Sequence, residues 1–267
     1  MLITELEARE KKLDGCDLFK RSQLAYKEEI NRDNFVIYLN KEAYKILLSS
    51  VLIGEYPTLL AEQNLQNIET LKQLSNHIEI ENLEVFGPPL RFQRIELINL
   101  ENFYIATGFE LFLKSRLIQN NYIVNIFEDN LDFKNLREQQ KKRPILKSEL
   151  FSISGYFYDE SKKINMLKGI TDSSLNFSTI STKNKYKSVF NLSSDIWEII
   201  DNYRILRNQI HLPGDWINSP FLDQIGEQLV PKIVEFINTE IVENSNNLIK
   251  KWNLSHIPPF ERLNYFD

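Results

Sequence analysis

Apolar residues return every three or four positions in three long stretches of the chain, and these predict its principal helices. In LSSDIWEIIDNYRILRNQIHLP, Leu192 to Pro213, the residues Ile199, Tyr203, Leu206 and Ile210 form one stripe, while Asp201, Arg204, Asn208 and His211 step along a second face. Ser193 or Ser194 stands where an N-cap belongs, Asp195 and Glu198 fall in the first turn, and Pro213 with Gly214 marks the stop. From Leu97 to Phe127 the line Ile98, Ile105, Phe109, Phe112 is widened by Phe103, Ala106, Leu113 and Leu117. A helix apolar over so much of its circumference is the central helix of a bundle. Gly108 inside it costs about 1 kcal/mol against alanine, which hints at a close helix contact. From Gln224 to Trp252 a third stripe runs through Ile225, Leu229, Ile233, Phe236, Ile237, Ile241, Leu248 and Ile249, to cover the bundle or pair with a second copy.

The remaining pattern is weaker. Thr4 to Leu13 reads as a short charged helix or surface arm, and FVIYL, Phe35 to Leu39, fits either a strand or a helix start. Asn40 can cap a helix beginning KEAYKILL, interrupted at Pro57 and followed by a helix from Leu59 to Ile78. His77 to Ile98 alternates acidic with apolar residues around Gly87, Pro88 and Pro89, which suits a short hairpin or a long connection. A boundary near Arg94 separates an N-terminal helical region, residues 1–94, from a bundle with its C-terminal helix and tail, residues 95–267. Leu146 to Asp159 is aromatic and packs on the bundle, and Gly169 to Lys187, rich in Ser, Thr, Asn and Lys, reads as a loop. The tail HIPPFERLNYFD, with His256 beside two prolines, is too irregular for a site; Phe260, Tyr265 and Phe266 can dock on a surface.

Composition narrows the class. Eight glycines and nine prolines in 267 residues supply few tight turns, which favours a mainly all-α fold over a many-stranded sheet. The one cysteine, Cys16, excludes an internal disulfide framework and suits a reducing cytoplasm. No secretory leader or membrane-length apolar run is legible, so no membrane partner is expected. The net charge of -5 argues against a generally basic coat, yet Lys134 to Lys168 holds a local basic excess. Phosphate-loop, dinucleotide, zinc-protease and serine-hydrolase signatures are missing from the sequence.

Candidate chemistry gathers on the first helix. Arg204 lies one turn before Asn208 and two before His211, so an arginine, an amide and an imidazole can meet one ligand, with Arg207 at the edge of the strip. A guanidinium grips phosphate with a fork of donors, and histidine exchanges protons near neutrality. The same spacing also fits a solvated structural face. Glu110 and Lys114 form an i,i+4 pair that is either surface pairing or a support beside the site. Lys141, Lys142 and Arg143, within the run Lys134 to Lys147, are the best phosphate-contacting patch, equally readable as a solvated helix end.

The helix from Leu100 to Tyr122 followed by YRILRNQIH, Tyr203 to His211, resembles the HEPN superfamily of helical-bundle domains over Leu97 to Glu243. Its signature is an arginine, four to six residues and a histidine, usually with a polar residue directly after an arginine. Arg204 has that spacing to His211, Arg207-Asn208 supplies the dipeptide, and Glu110 and Lys114 match an earlier E-x-x-x-K pattern. The resemblance implies a HEPN-like bundle and a metal-independent endoribonuclease without cofactor, a toxin or antiviral defence effector that pairs two copies. RNA, a second copy, and an antitoxin or defence-system protein are the implied partners. Some members carry a modifiable tyrosine two residues beyond the histidine; Pro213 stands there, so that chemistry is not expected. In this reading His211 is general acid or base, Arg204 and Arg207 stabilise the phosphate, Asn208 positions it, and Asp201, Glu110 and Lys114 support them. The alternatives are a non-catalytic RNA-binding module and a structural or regulatory helical dimer.

Overall fold

The computed structural model describes the backbone of residues 23–48, 87–160, 164–209 and 230–263, and side chains within 23–48, 103–160, 165–208 and 231–263. These residues are mostly helical. Helix α1 covers residues 29–48. It is followed by α2 (Gly87–Gln119), β1 (Asn125–Phe127), α3 (Lys134–Gln140), α4 (Lys147–Phe151), β2 (Tyr156–Asp159), β3 (Ile164–Leu167) and β4 (Ile170–Ser174). Helices α5 (Phe177–Thr182), α6 (Asn184–Lys187) and α7 (Ser194–Gln209) come next. A final helix has three parts: α8 (Val230–Phe236), a π-helical stretch Ile237–Glu243 and α9 (Asn244–Lys251). The chain divides into two compact units, one of residues 1–41, 111–192 and 243–260, the other of 42–110, 193–242 and 261–267. Arg94 lies inside α2.

In the first unit, β1 pairs antiparallel with β4 and β2 with β3, giving two small sheets. Tyr26, Ile123, Phe127, Phe133, Leu136, Ile145, Leu150, Leu167 and Ile170 form a buried cluster against which Phe151 and Tyr156 pack. Gly169 holds φ at 96°, and a Cβ there would overlap the Phe133 ring, so only glycine fits this turn. Several buried polar groups pair with one another, while Gln23 Nε2 and Ser181 Oγ are buried without a hydrogen-bond partner among the described residues. Asn40 Nδ2 donates to Ser245 Oγ at 3.0 Å and Ser115 Oγ donates to Asn40 Oδ1 at 2.6 Å, which ties α1, α2 and α9 together. Asp33, with its side chain 1% exposed, accepts from Trp252 Nε1 at 2.8 Å, from Lys251 at 2.9 Å and from Arg32 at 3.0 Å. Burial pushes its pKa up, but these donors outweigh burial and hold the carboxyl below its ordinary 3.8.

In the second unit, buried Phe109 meets Phe236 at 5.2 Å and Tyr203 at 6.5 Å between ring centroids. Ile105, Ile199, Ile200, Leu206, Ile233, Ile237 and Ile241 of the same unit are also buried. The close contact suggested by Gly108 is present: a Cβ on it would stand 2.5 Å from Leu47 Cγ.

Several expectations are corrected. Asn40 is no cap, because α1 runs through it and Ser115 and Ser245 take its side chain. FVIYL is part of α1, buried at Phe35, Val36, Ile37 and Leu39. Gly87, Pro88 and Pro89 open α2, so no hairpin strand spans Leu90 to Ile98; in a first helical turn the N–H that proline lacks has no helical partner. The central helix stops at Gln119, well before Phe127. Asn121 takes φ 63°, Tyr122 N–H donates to Leu117 O and Asn121 N–H to Ile118 O, both at 2.9 Å, and the chain turns into β1. Gly169 to Lys187 is a strand and two short helices, because Phe177, Ile180 and Tyr186 find buried places despite the polar composition. Leu146, Phe157 and Tyr158 are exposed, whereas Phe151 and Tyr156 pack. Thr4 to Leu13, Cys16, Leu59 to Ile78, His77, Ile225, Leu229, Tyr265 and Phe266 lie outside the described residues.

Two stability outcomes follow. Gly108→Ala is expected to lower thermal stability although it gains about 1 kcal/mol of helix propensity, because overpacking Leu47 costs about 1–3 kcal/mol. Its cost combined with Leu47→Ala is expected to be less than the sum of the two single changes, and simple additivity in thermal denaturation would contradict the contact. Because the Asp33 pKa is lowered on folding, its contribution is present above the unfolded value near 3.8 and fades as pH falls through and below it. The stability gap between the wild type and Asp33→Asn is therefore expected to be widest above about pH 5 and to narrow toward pH 3, as read by melting curves across that range.

Candidate active site

The second unit presents α7 as the sequence requires. Ile196 N–H donates to Ser193 Oγ at 3.4 Å, so Ser193 is the cap, and Asp195 in the first turn pairs with Lys232 at 3.3 Å. Ile199, Tyr203 and Leu206 are buried as one stripe, while Asn208 is exposed and Asp201, Arg204 and Arg207 are half-buried. Ile210, His211, Pro213 and Gly214 lie outside the described residues.

The two arginines have different environments. Arg204 Nε stands 3.5 Å from Asp201 Oδ1 on its own helix. Arg207 reaches α2: its Nη1 donates to Glu110 Oε2 at 2.7 Å, and its guanidinium lies 5.6 Å from the centre of the Phe103 ring. A carboxylate at one edge and an aromatic face at another fix a planar guanidinium in orientation as well as position. This explains Phe103, which was expected to widen the apolar stripe yet is 43% exposed. Glu110 belongs to this pair, whereas Lys114 Nζ donates to Ser174 Oγ at 2.9 Å within the first unit.

The basic run Lys134 to Lys147 belongs to the first unit and is partly neutralised by its own neighbours. Lys141 pairs with Glu138 at 2.6 Å, and Arg137 with Asp129 at 3.3 Å. Arg143 forks onto Glu149, Nη1 to Oε1 at 2.9 Å and Nη2 to Oε2 at 2.6 Å, and its Nη2 also donates to Gln139. That fork draws the Glu149 pKa down and raises Arg143 further. Lys141 and Lys142 remain exposed to solvent. The residues that sequence reasoning missed are Phe103 as an arginine platform and Ser174 as the Lys114 partner; no local spacing signals either.

Among the described residues, no cluster of three or more His, Cys, Asp or Glu side chains is placed to hold a metal ion, and no helix is long and apolar enough to cross a membrane. No family model, curated protein or solved structure matches the chain.

The Glu110–Arg207 pair is half-buried, so a double-mutant cycle through Glu110→Ala and Arg207→Ala is expected to give a coupling of about 1–2 kcal/mol in thermal or urea unfolding. A coupling near zero would show that the two side chains do not act on each other.

Proposed function

We propose that the chain is a metal-independent endoribonuclease of the HEPN-like kind, serving as a toxin or antiviral defence effector. The observation that carries this reading is the held guanidinium of Arg207, on the same helix as Arg204 and Asn208 and four residues before His211 in the sequence. RNA brings its own nucleophile, so the protein has only to orient it, move two protons and steady charge on phosphorus. His211 of one copy removes the 2'-hydroxyl proton, the oxygen attacks the adjacent phosphorus, and the 5'-oxygen leaves with a proton from His211 of a second copy. A 2',3'-cyclic phosphate and a 5'-hydroxyl result. Arg204 and Arg207 stabilise the growing negative charge and Asn208 positions the phosphate. One histidine per helix and two proton transfers are the chemical reason for a symmetric homodimer. Lys141, Lys142 and Arg143 contact the RNA backbone, and an antitoxin or defence-system protein is a further partner.

One observation favours a different reading. Arg204 has Asp201 and Arg207 has Glu110, so both guanidinium groups are already paired within the chain, as in a structural or regulatory helical protein.

Cleavage of total RNA in excess EDTA decides between them, using purified wild type and His211→Ala of equal oligomeric mass. The wild type is expected to leave cyclic-phosphate ends and His211→Ala to lose about 10²-fold or more in rate. RNA bound but uncut by both proteins would replace the enzyme with a binding module. A stability or assembly change in His211→Ala, with no effect of either protein on RNA, would favour the structural reading.

A further inference from the structure

Phe103 is a large apolar side chain that the core of the second unit does not take. It stands on α2 with 43% of its surface exposed, while Ile105, Ala106 and Phe109 close by on the same helix are buried. Phe103 and Glu110 are seven residues apart, two turns along one side of α2. Arg207 of α7 meets both: it donates to Glu110 at 2.7 Å, and its guanidinium lies 5.6 Å from the centre of the Phe103 ring. Tyr104 meets the same ring at 6.2 Å and an interplanar angle of 64°, an edge contact. With these contacts in place the ring has a fixed position and still an open surface.

A lone exposed apolar residue needs no explanation. Its neighbour gives this one a meaning. An arginine has five N–H donors, and Glu110 accepts from one of its groups, so others are left for a second anion. A phosphodiester answers the guanidinium, and a flat base answers the phenyl ring; a nucleotide strand carries both, side by side. In a duplex each base is enclosed between its neighbours. Only an unpaired base can turn its face to a protein ring.

We propose that Phe103 is the base-stacking platform of this site and that the RNA it takes is single-stranded, with one base against the phenyl ring while an adjoining phosphate meets Arg207. The phosphate contact rests on the ribonuclease reading; the base contact adds to it the strandedness of the substrate and the residue that selects it. Every base has a π face, so Phe103 selects unpaired RNA without choosing a sequence. It touches no reacting atom and is a positioning residue.

Fluorescence anisotropy with the full chain in EDTA tests this, using two uncleavable 2'-O-methyl strands of equal length and charge, an oligouridylate and its abasic counterpart. The wild type is expected to bind the oligouridylate about fivefold or more tighter than the abasic strand. Phe103→Leu is expected to bring that ratio near one and Phe103→Trp to keep it. Any loosening of Arg207 weakens both strands alike, so the ratio reads the base alone. Pairing the oligouridylate with oligoadenylate is expected to reduce the advantage of the wild type over Phe103→Leu to that seen on the abasic strand. A preference that survives Phe103→Leu, or an equal loss on every strand, would overturn the platform and leave the RNA site in place. Binding of no strand by the wild type would remove the phosphate site and the platform together.

Discussion

Much of the second unit depends on a Cβ that is not there. Gly108 lets α2 lie against Leu47 at a distance no other residue permits, and its neighbour Phe109 then fills the space between Tyr203 and Phe236. With the helix seated, Glu110 is one residue further along at the right height for Arg207. A helix normally loses stability at an interior glycine. Here the lost propensity is exchanged for close packing, and the candidate site inherits its geometry from that packing.

The charges tell a related story of local pairing. Asp33 in the first unit keeps its charge although buried, because Trp252, Lys251 and Arg32 supply donors that outweigh the lost water. Arg143 is similarly engaged by Glu149. A count of basic residues therefore overstates the positive potential of the Lys134 to Lys147 run, since carboxylates distant by only a few positions fold back on it. Lys141 and Lys142 are both exposed to solvent, and Lys141 is paired with Glu138.

The final helix departs from α geometry over Ile237–Glu243. Such π-helical stretches are uncommon and often sit at functional sites. In this one Asn238 holds the backbone of Leu263 while Ile237, Ile241 and Val242 remain buried, so the widened turn serves packing on one side and holds Leu263 on the other.

The sequence by itself determined the helical class, the cap at Ser193, the buried stripe Ile199, Tyr203 and Leu206, and the buried line Ile105, Phe109 and Phe112, because helical period and capping act over three or four residues. The same local rules placed Arg204 and Arg207 along one helix. They misjudged Asn40, Phe103 and the Gly169 to Lys187 stretch, where local preference is overridden by distant partners. Asn40 looks like a cap until Ser115 and Ser245 are beside it, and a polar stretch looks like a loop until Phe177, Ile180 and Tyr186 find a core. Only the tertiary structure decided that Glu110 and Phe103 hold Arg207 and that Asn238 holds Leu263. Those pairs are separated by many residues, and hydrogen bonds and ring contacts depend on distance in space, which the order of residues along a chain does not fix.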